Sequence, residues 1–117
     1  MRVEADLFSG RPNPAWTLDE AESATFARLF AGLVRTAAPP WLEDGLGYRG
    51  LRVTGTDGGI GECEEVRVLR GHVAARCTDG ERSYLDTERA LERWLVGSAR
   101  GRVDAQVLQM LRAEVEV

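Results

Sequence analysis

The stretch Glu64-Glu-Val-Arg-Val-Leu-Arg-Gly-His-Val-Ala-Ala-Arg-Cys77 decides the fold. Residues 64–69 and 72–77 form a β-hairpin with Arg70-Gly71 as its two-residue turn, because glycine supplies the positive φ such turns need. That register sets Val68 against Val73 and Val66 against Ala75 on one face, with Cys77 on the same side. The other face carries Arg67, and Glu65 directly opposite Arg76. Side chains alternate with a period of two, so a slip of one residue would mix the two sets. The clean division fixes the pairing.

Working outward, Asp79-Gly80 is a second turn that returns the chain through 81–85, with Tyr84 on the apolar face. Upstream, residues 48–56 read as one strand, closed by the glycine-rich turn Asp57-Gly-Gly59. At the N-terminus Val3, Ala5 and Leu7 alternate with Arg2, Glu4 and Asp6, the pattern of a half-buried strand. Between these strands Thr17-Leu-Asp-Glu20 fits a capping box, in which the threonine accepts a backbone N–H and Glu20 reaches back. Phe26, Leu29, Phe30 and Leu33 then recur at helical spacing. The helix is predicted to fade near Thr36, ahead of Pro39-Pro40, with residues 37–47 as loop.

After the hairpins, Asp86 or Thr87 caps a second helix with Leu91, Trp94, Leu95 and Ser98 as its stripe, ended by Gly97 or Gly101. Val103, Val107, Leu108 and Leu111 predict a third, with about 100–117 a peripheral helix or tail. The expected architecture is one α+β domain over 1–117. Its antiparallel sheet has three to five strands with helices packed on one face, in the order β-α-β-β-β-β-α-α.

The chain has 117 residues, 44% of them hydrophobic and 29% charged, which is ordinary globular material. No apolar run approaches the roughly 20 residues that span a bilayer. Charges at Arg2, Glu4 and Asp6 replace the apolar core of a secretory signal, so the expected location is cytoplasmic, with no membrane partner. A net charge of −4 leans against nucleic-acid binding. All fifteen basic residues are arginine. Without lysine there is no Schiff-base chemistry, no pyridoxal phosphate attachment and no phosphate-loop lysine. His72 is the only histidine, which excludes a multi-histidine metal site. No cofactor and no metal are expected.

The loop Ser9–Trp16 gathers the densest chemistry: Ser9 and Asn13 as hydrogen-bonding groups, Arg11 as a fixed cation, and Asp6 on the strand before it. It leads into a helix N-terminus, where free N–H groups favour anions. A bland reading competes with this, in which Asn13 and the prolines shape a turn and Arg11 pairs with Asp6 or Glu20. The segment Val3 to Trp16, with Gly47-Tyr-Arg-Gly50 and Ala90-Leu-Glu-Arg-Trp-Leu95, resembles a group of small uncharacterised bacterial proteins. The similarity covers residue 3 to about 96 and is most specific at Ser9-Gly-Arg-Pro-Asn-Pro14. It implies a shared fold and brings no activity.

Cys63 falls opposite Thr78 in the regular register, pointing away from Cys77, so two free thiols are expected unless a bulge at Gly61 intervenes. Glu62, Glu64 and Glu65 disfavour a thiolate at Cys63. That acidic run with Asp57 lacks the spacing of a calcium loop. His72 is expected to be an exposed turn residue. Trp94 is expected in the core, Trp16 as a staple at the helix start or a ligand contact, and Trp41 as the aromatic anchor for a partner.

The expected function is therefore a non-catalytic binding or accessory domain. It recruits a protein partner or a small anionic ligand through the 9–16 loop, with Asp6, Ser9, Arg11, Asn13 and Trp16 as contacts. The alternative is a small enzyme with its site around Asp6 and Arg11. A homodimer through a sheet edge is a third possibility.

Overall fold

A computed structural model of the chain describes residues 1–7, 12–37, 47–56 and 60–116. In chain order they form β1 (Arg2–Ala5), β2 (Ala15–Thr17), α1 (Glu20–Ala31), β3 (Val34–Thr36) and β4 (Leu51–Thr54). There follow β5 (Cys63–Leu69), β6 (His72–Cys77), β7 (Gly80–Leu85), a single 3-10 turn (Thr87–Arg89), α2 (Ala90–Ser98) and α3 (Ala105–Val115). The seven strands make one antiparallel sheet in the order β2-β1-β4-β5-β6-β7-β3.

The α+β class stands, while the strand count rises from the expected three to five to seven. The two additional strands are the edges, β2 and β3, each three residues long. Neither is long enough to display an alternating pattern. β2 lies within the segment expected to be loop and cap, pairing Trp16 with Val3 and Thr17 with Arg2. Thr17 is thereby drawn into the sheet, and the capping box forms two residues later. Asp19 Oδ1 accepts from Glu22 N at 2.8 Å and Glu22 Oε1 from Asp19 N at 3.0 Å. At the other end, helix α1 stops at Ala31, short of Thr36, because Gly32 caps it and the β-branched Val34 and Thr36 join β7.

The central hairpin has the expected register: Val68 faces Val73, Val66 faces Ala75 and Glu65 faces Arg76. Its turn residues Arg70 and Gly71 both take positive φ, 46° and 88°. Val3, Val53, Val66, Val68, Val73, Ala75 and Tyr84 share one continuous core with Phe26 and Phe30 of α1, Leu91 and Leu95 of α2, and Leu111 of α3. Phe30 meets Tyr84 edge to face with ring centres 4.9 Å apart. The third helix docks through Leu111 and Val115, so the C-terminal segment is part of the packed body as far as the described residues run. Trp94 is only half-buried beside this core. Among the described residues no helix is long and apolar enough to cross a membrane.

The cysteines correct the sequence reading. Cys63 lies directly opposite Cys77, with Cα atoms 3.8 Å apart, and the two are joined in a disulfide. The cause is a break in register between Cys63 and Glu65, which turns Cys63 onto the face of Cys77. Glu62, not Cys63, is the residue opposite Thr78, accepting its N–H at 2.9 Å. The bulge falls at Glu64 and not at Gly61. Denatured, unreduced protein is therefore expected to show no titratable thiol. Closing a 14-residue separation, the bond is expected to contribute about 3 kcal/mol, so reduction should lower the urea midpoint correspondingly.

Candidate functional site

The base of the 9–16 loop is built by pairing of β1 with the segment before β4. Asp6 N donates to Gly50 O at 2.9 Å and Arg49 N to Asp6 O at 2.8 Å, extending the ladder beyond Ala5. Gly50 sits at φ +96°, and a Cβ there would stand 2.5 Å from Val68 O, so only glycine permits this approach. Arg49 is thereby aimed at the loop, its Nη2 donating to Asp6 Oδ1 at 2.8 Å.

Asn13 closes the loop from the other side. Its Oδ1 accepts from Leu7 N at 3.0 Å, while Nδ2 donates to Glu4 Oε2 at 3.2 Å and Asp6 Oδ1 at 3.4 Å. Asn13 thus performs the turn-shaping role that competes with ligand binding. Trp16 is buried in β2 and donates its indole N–H to Ser98 Oγ of α2 at 2.8 Å, a tie between sheet and helix. Ser9, Arg11 and Trp41 lie outside the described residues. His72 is exposed at the hairpin turn.

Beside this base, on the sheet face away from the helices, Glu4, Arg52 and Arg67 stand in one cross-strand row. Arg52 Nε lies 3.1 Å from Glu65 Oε1, yet off the direction of its N–H, so the pair is an ion contact without a hydrogen bond. Arg49 Nε is likewise enclosed and makes no hydrogen bond. The recess among Asp6, Arg49, Arg52 and Arg67 has a volume of about 10 Å³, room for one water molecule. The recess is too small to engulf a ligand larger than water. Among the described residues no group of three or more histidine, cysteine, aspartate or glutamate residues is placed to hold a metal.

The most enclosed polar cluster was not legible as such in the sequence. Glu92 of α2 has 0% exposure. Its Oε1 accepts from Arg70 N and Arg89 Nε, each at 2.9 Å, and its Oε2 accepts from the Tyr48 hydroxyl. Glu88 and Arg89 carry positive φ, 58° and 57°, in the 3-10 turn that leads into α2. Buried Asp86 caps that helix, its oxygens accepting from Leu91 N at 2.8 Å and Glu92 N at 3.0 Å. Burial raises the Asp86 carboxyl, against those two backbone bonds that pull it down. Burial, then the Glu92 charge, push the Tyr48 phenol above its ordinary range.

The signal for Glu92 was its spacing: it precedes Val96 by four and Leu95 by three, on the buried side of α2. Among the described residues the partners of Glu92 come from the segment before β4, the hairpin turn and the entry to α2, so the cluster is a staple between layers. Compared with known protein families, characterised sequences and solved structures, the chain matches none.

Two outcomes follow from the staple. Glu92→Ala leaves the Arg89 cation, the Tyr48 hydroxyl and the Arg70 N–H without their partner, and is expected to cost about 3–5 kcal/mol in urea unfolding. Tyr48 has its folded-state pKa raised, so its contribution is fully present below the unfolded value of about 10 and is lost as pH climbs past it. Its absorbance step near 295 nm, identified by subtraction of Tyr48→Phe, should coincide with loss of far-ultraviolet dichroism. A step preceding unfolding would show that the phenol is not held.

Proposed function

We propose that the chain is a non-catalytic binding or accessory domain that holds a carboxylate at the base of the 9–16 loop. The carboxylate belongs to a protein partner or to a small anionic ligand; the recognition chemistry is the same. The observation that carries this reading is the convergence of Arg49 and Arg52 at one end of the helix-free sheet face, each with Nε enclosed and unbonded. Arg67 adds a third cation directly across from Arg52. Guanidinium groups offer paired donors in a planar fork that matches a carboxylate. Arg11, which the sequence offers as a further cation for the same chemistry, lies outside the described residues.

The small recess supports surface capture and gives no support to an enclosed reaction site. The alternative, an enzyme working through Asp6 and Arg11, has less support because Asp6 already accepts from Arg49 and Asn13. The cytoplasmic location belongs to the proposal as well and sits against the Cys63–Cys77 bond, since structural disulfides are rare in that compartment. The thiol state of protein taken directly from cells reports which holds.

Citrate, a multivalent carboxylate, serves as probe. Amide shift changes on titration are expected at Asp6, Asn13, Arg49 and Arg52. Affinity is expected to fall about tenfold in Arg52→Ala, the loss of one charge-assisted contact. Unchanged affinity in both Arg52→Ala and Arg11→Ala would remove the loop as the site.

A further inference from the structure

Glu4 of β1 and Arg52 of β4 are directly opposed in the antiparallel register, on the sheet face away from the helices. Side chains so placed have Cβ atoms about 5 Å apart, and opposite charges at such positions attract. Here each has a different partner. Arg52 Nε lies 3.1 Å from Glu65 Oε1 of β5. Glu4 Oε2 accepts from Asn13 Nδ2 at 3.2 Å, and Glu4 Oε1 meets exposed Arg2 at 3.4 Å. Among the described residues no ion pair joins Glu4 to Arg52.

The adjacent pair is arranged otherwise. Arg49 Nη2 and Asp6 Oδ1 are bonded at 2.8 Å, so that cation and anion satisfy one another. What remains there is Arg49 Nε, enclosed and unbonded like Arg52 Nε. A donor taken from water without an acceptor is costly, and an anionic oxygen is the acceptor that a guanidinium binds most strongly.

Charge then limits the kind of anion. Arg67 stands on the far side of Arg52 from Glu4, so the cross-strand row runs from negative to positive. Glu4 and Asp6 border the recess together with the arginines, and Glu65 lies against Arg52. A ligand that is only negative gains from the arginines and is opposed by Glu4, one position away across the sheet. A ligand with an ammonium beside its carboxylate, laid along the row, meets both signs favourably. In an α-amino acid the two groups hang from one carbon, close enough to address two directly opposed side chains.

We infer that the ligand class of this surface is the free α-amino acid zwitterion, with its carboxylate on Arg52 and Arg49 and its ammonium on Glu4. The inference rests on the carboxylate reading above and narrows it from anions in general to dipolar ones. With room for only one water in the recess, the rest of the amino acid stays outside and is not selected. The bland reading is that Glu4 merely orders Asn13 at the loop base. It predicts no advantage for a ligand that carries an ammonium.

Three probes of similar size separate the charges: L-alanine, propionate and ethylamine at neutral pH. Alanine is expected to shift the amide signals of Glu4, Asp6, Arg49 and Arg52 with a Kd below about 10 mM, and propionate to bind at least about fivefold more weakly. Ethylamine, without a carboxylate, should be weaker still. Glu4→Gln keeps an oxygen for Asn13 and removes the charge. It should bring alanine down to the affinity of propionate and leave propionate no weaker, whereas Arg52→Ala should weaken both. Thermal melts of the two variants check that the fold is intact. Equal affinity for alanine and propionate, or an alanine preference that survives Glu4→Gln, would overturn the inference and leave the carboxylate reading in place. So would citrate binding without alanine binding. If alanine, propionate and citrate all fail to bind, both are lost together.

Discussion

A carboxylate with no exposure to water, that of Glu92, holds three separate parts of the chain at once. It reaches the segment before β4 through Tyr48, the turn of the central hairpin through Arg70 N, and the entry to its own helix through Arg89. Removing such a charge from water is costly, and the ion pair with Arg89 offsets that cost without guaranteeing a net gain over apolar packing. What the arrangement does supply is direction. Apolar faces of a helix and a sheet tolerate sliding; three donors converging on one carboxylate do not.

The strained backbone of the molecule gathers at the same place. Arg70, Glu88 and Arg89 are the described non-glycine residues with positive φ, and two of them donate directly to Glu92. Such conformations persist where surrounding contacts over-determine them. Once α2 is fixed, Ser98 is placed to receive the Trp16 indole, which anchors edge strand β2. The exposed pair Arg102–Glu22 at 2.8 Å links the chain after α2 to the start of α1 but, as a surface contact, adds little. The helix layer is thus registered on the sheet from α2 outward.

The sequence made the central hairpin legible residue by residue, because a burial pattern of period two and a glycine turn both point to one register. It did not reveal β2 and β3, whose three residues each are fewer than a pattern needs and whose formation depends on neighbours β1 and β7. The disulfide was hidden for a different reason. A bulge adds a residue without any compositional mark, and one extra residue reverses which face Cys63 occupies. At the candidate loop, Asp6 and Asn13 stand out in the sequence as chemically dense, but spacing cannot say whether a polar group faces a ligand or its own chain. Asn13 and Asp6 bond within the loop base, whereas Arg49 and Arg52, read only as strand residues, carry two of the three enclosed unbonded donors among the described residues, the third being Arg89 Nη2 beside Glu92.

The helix-free face of the sheet is unequal along its width. One cross-strand row runs Ala15, Glu4, Arg52, Arg67, Ala74, Ser83 and Thr36. Its charge is concentrated beside the 9–16 loop, while towards β3 the side chains are small and then, with Leu85 and Val34, apolar. Complete use of arginine sharpens this contrast, since an arginine keeps its charge and its fixed fork even when its Nε is enclosed, as at Arg49 and Arg52. The two ends of that face therefore differ in chemistry, charged at Glu4, Arg52 and Arg67 and apolar at Leu85 and Val34.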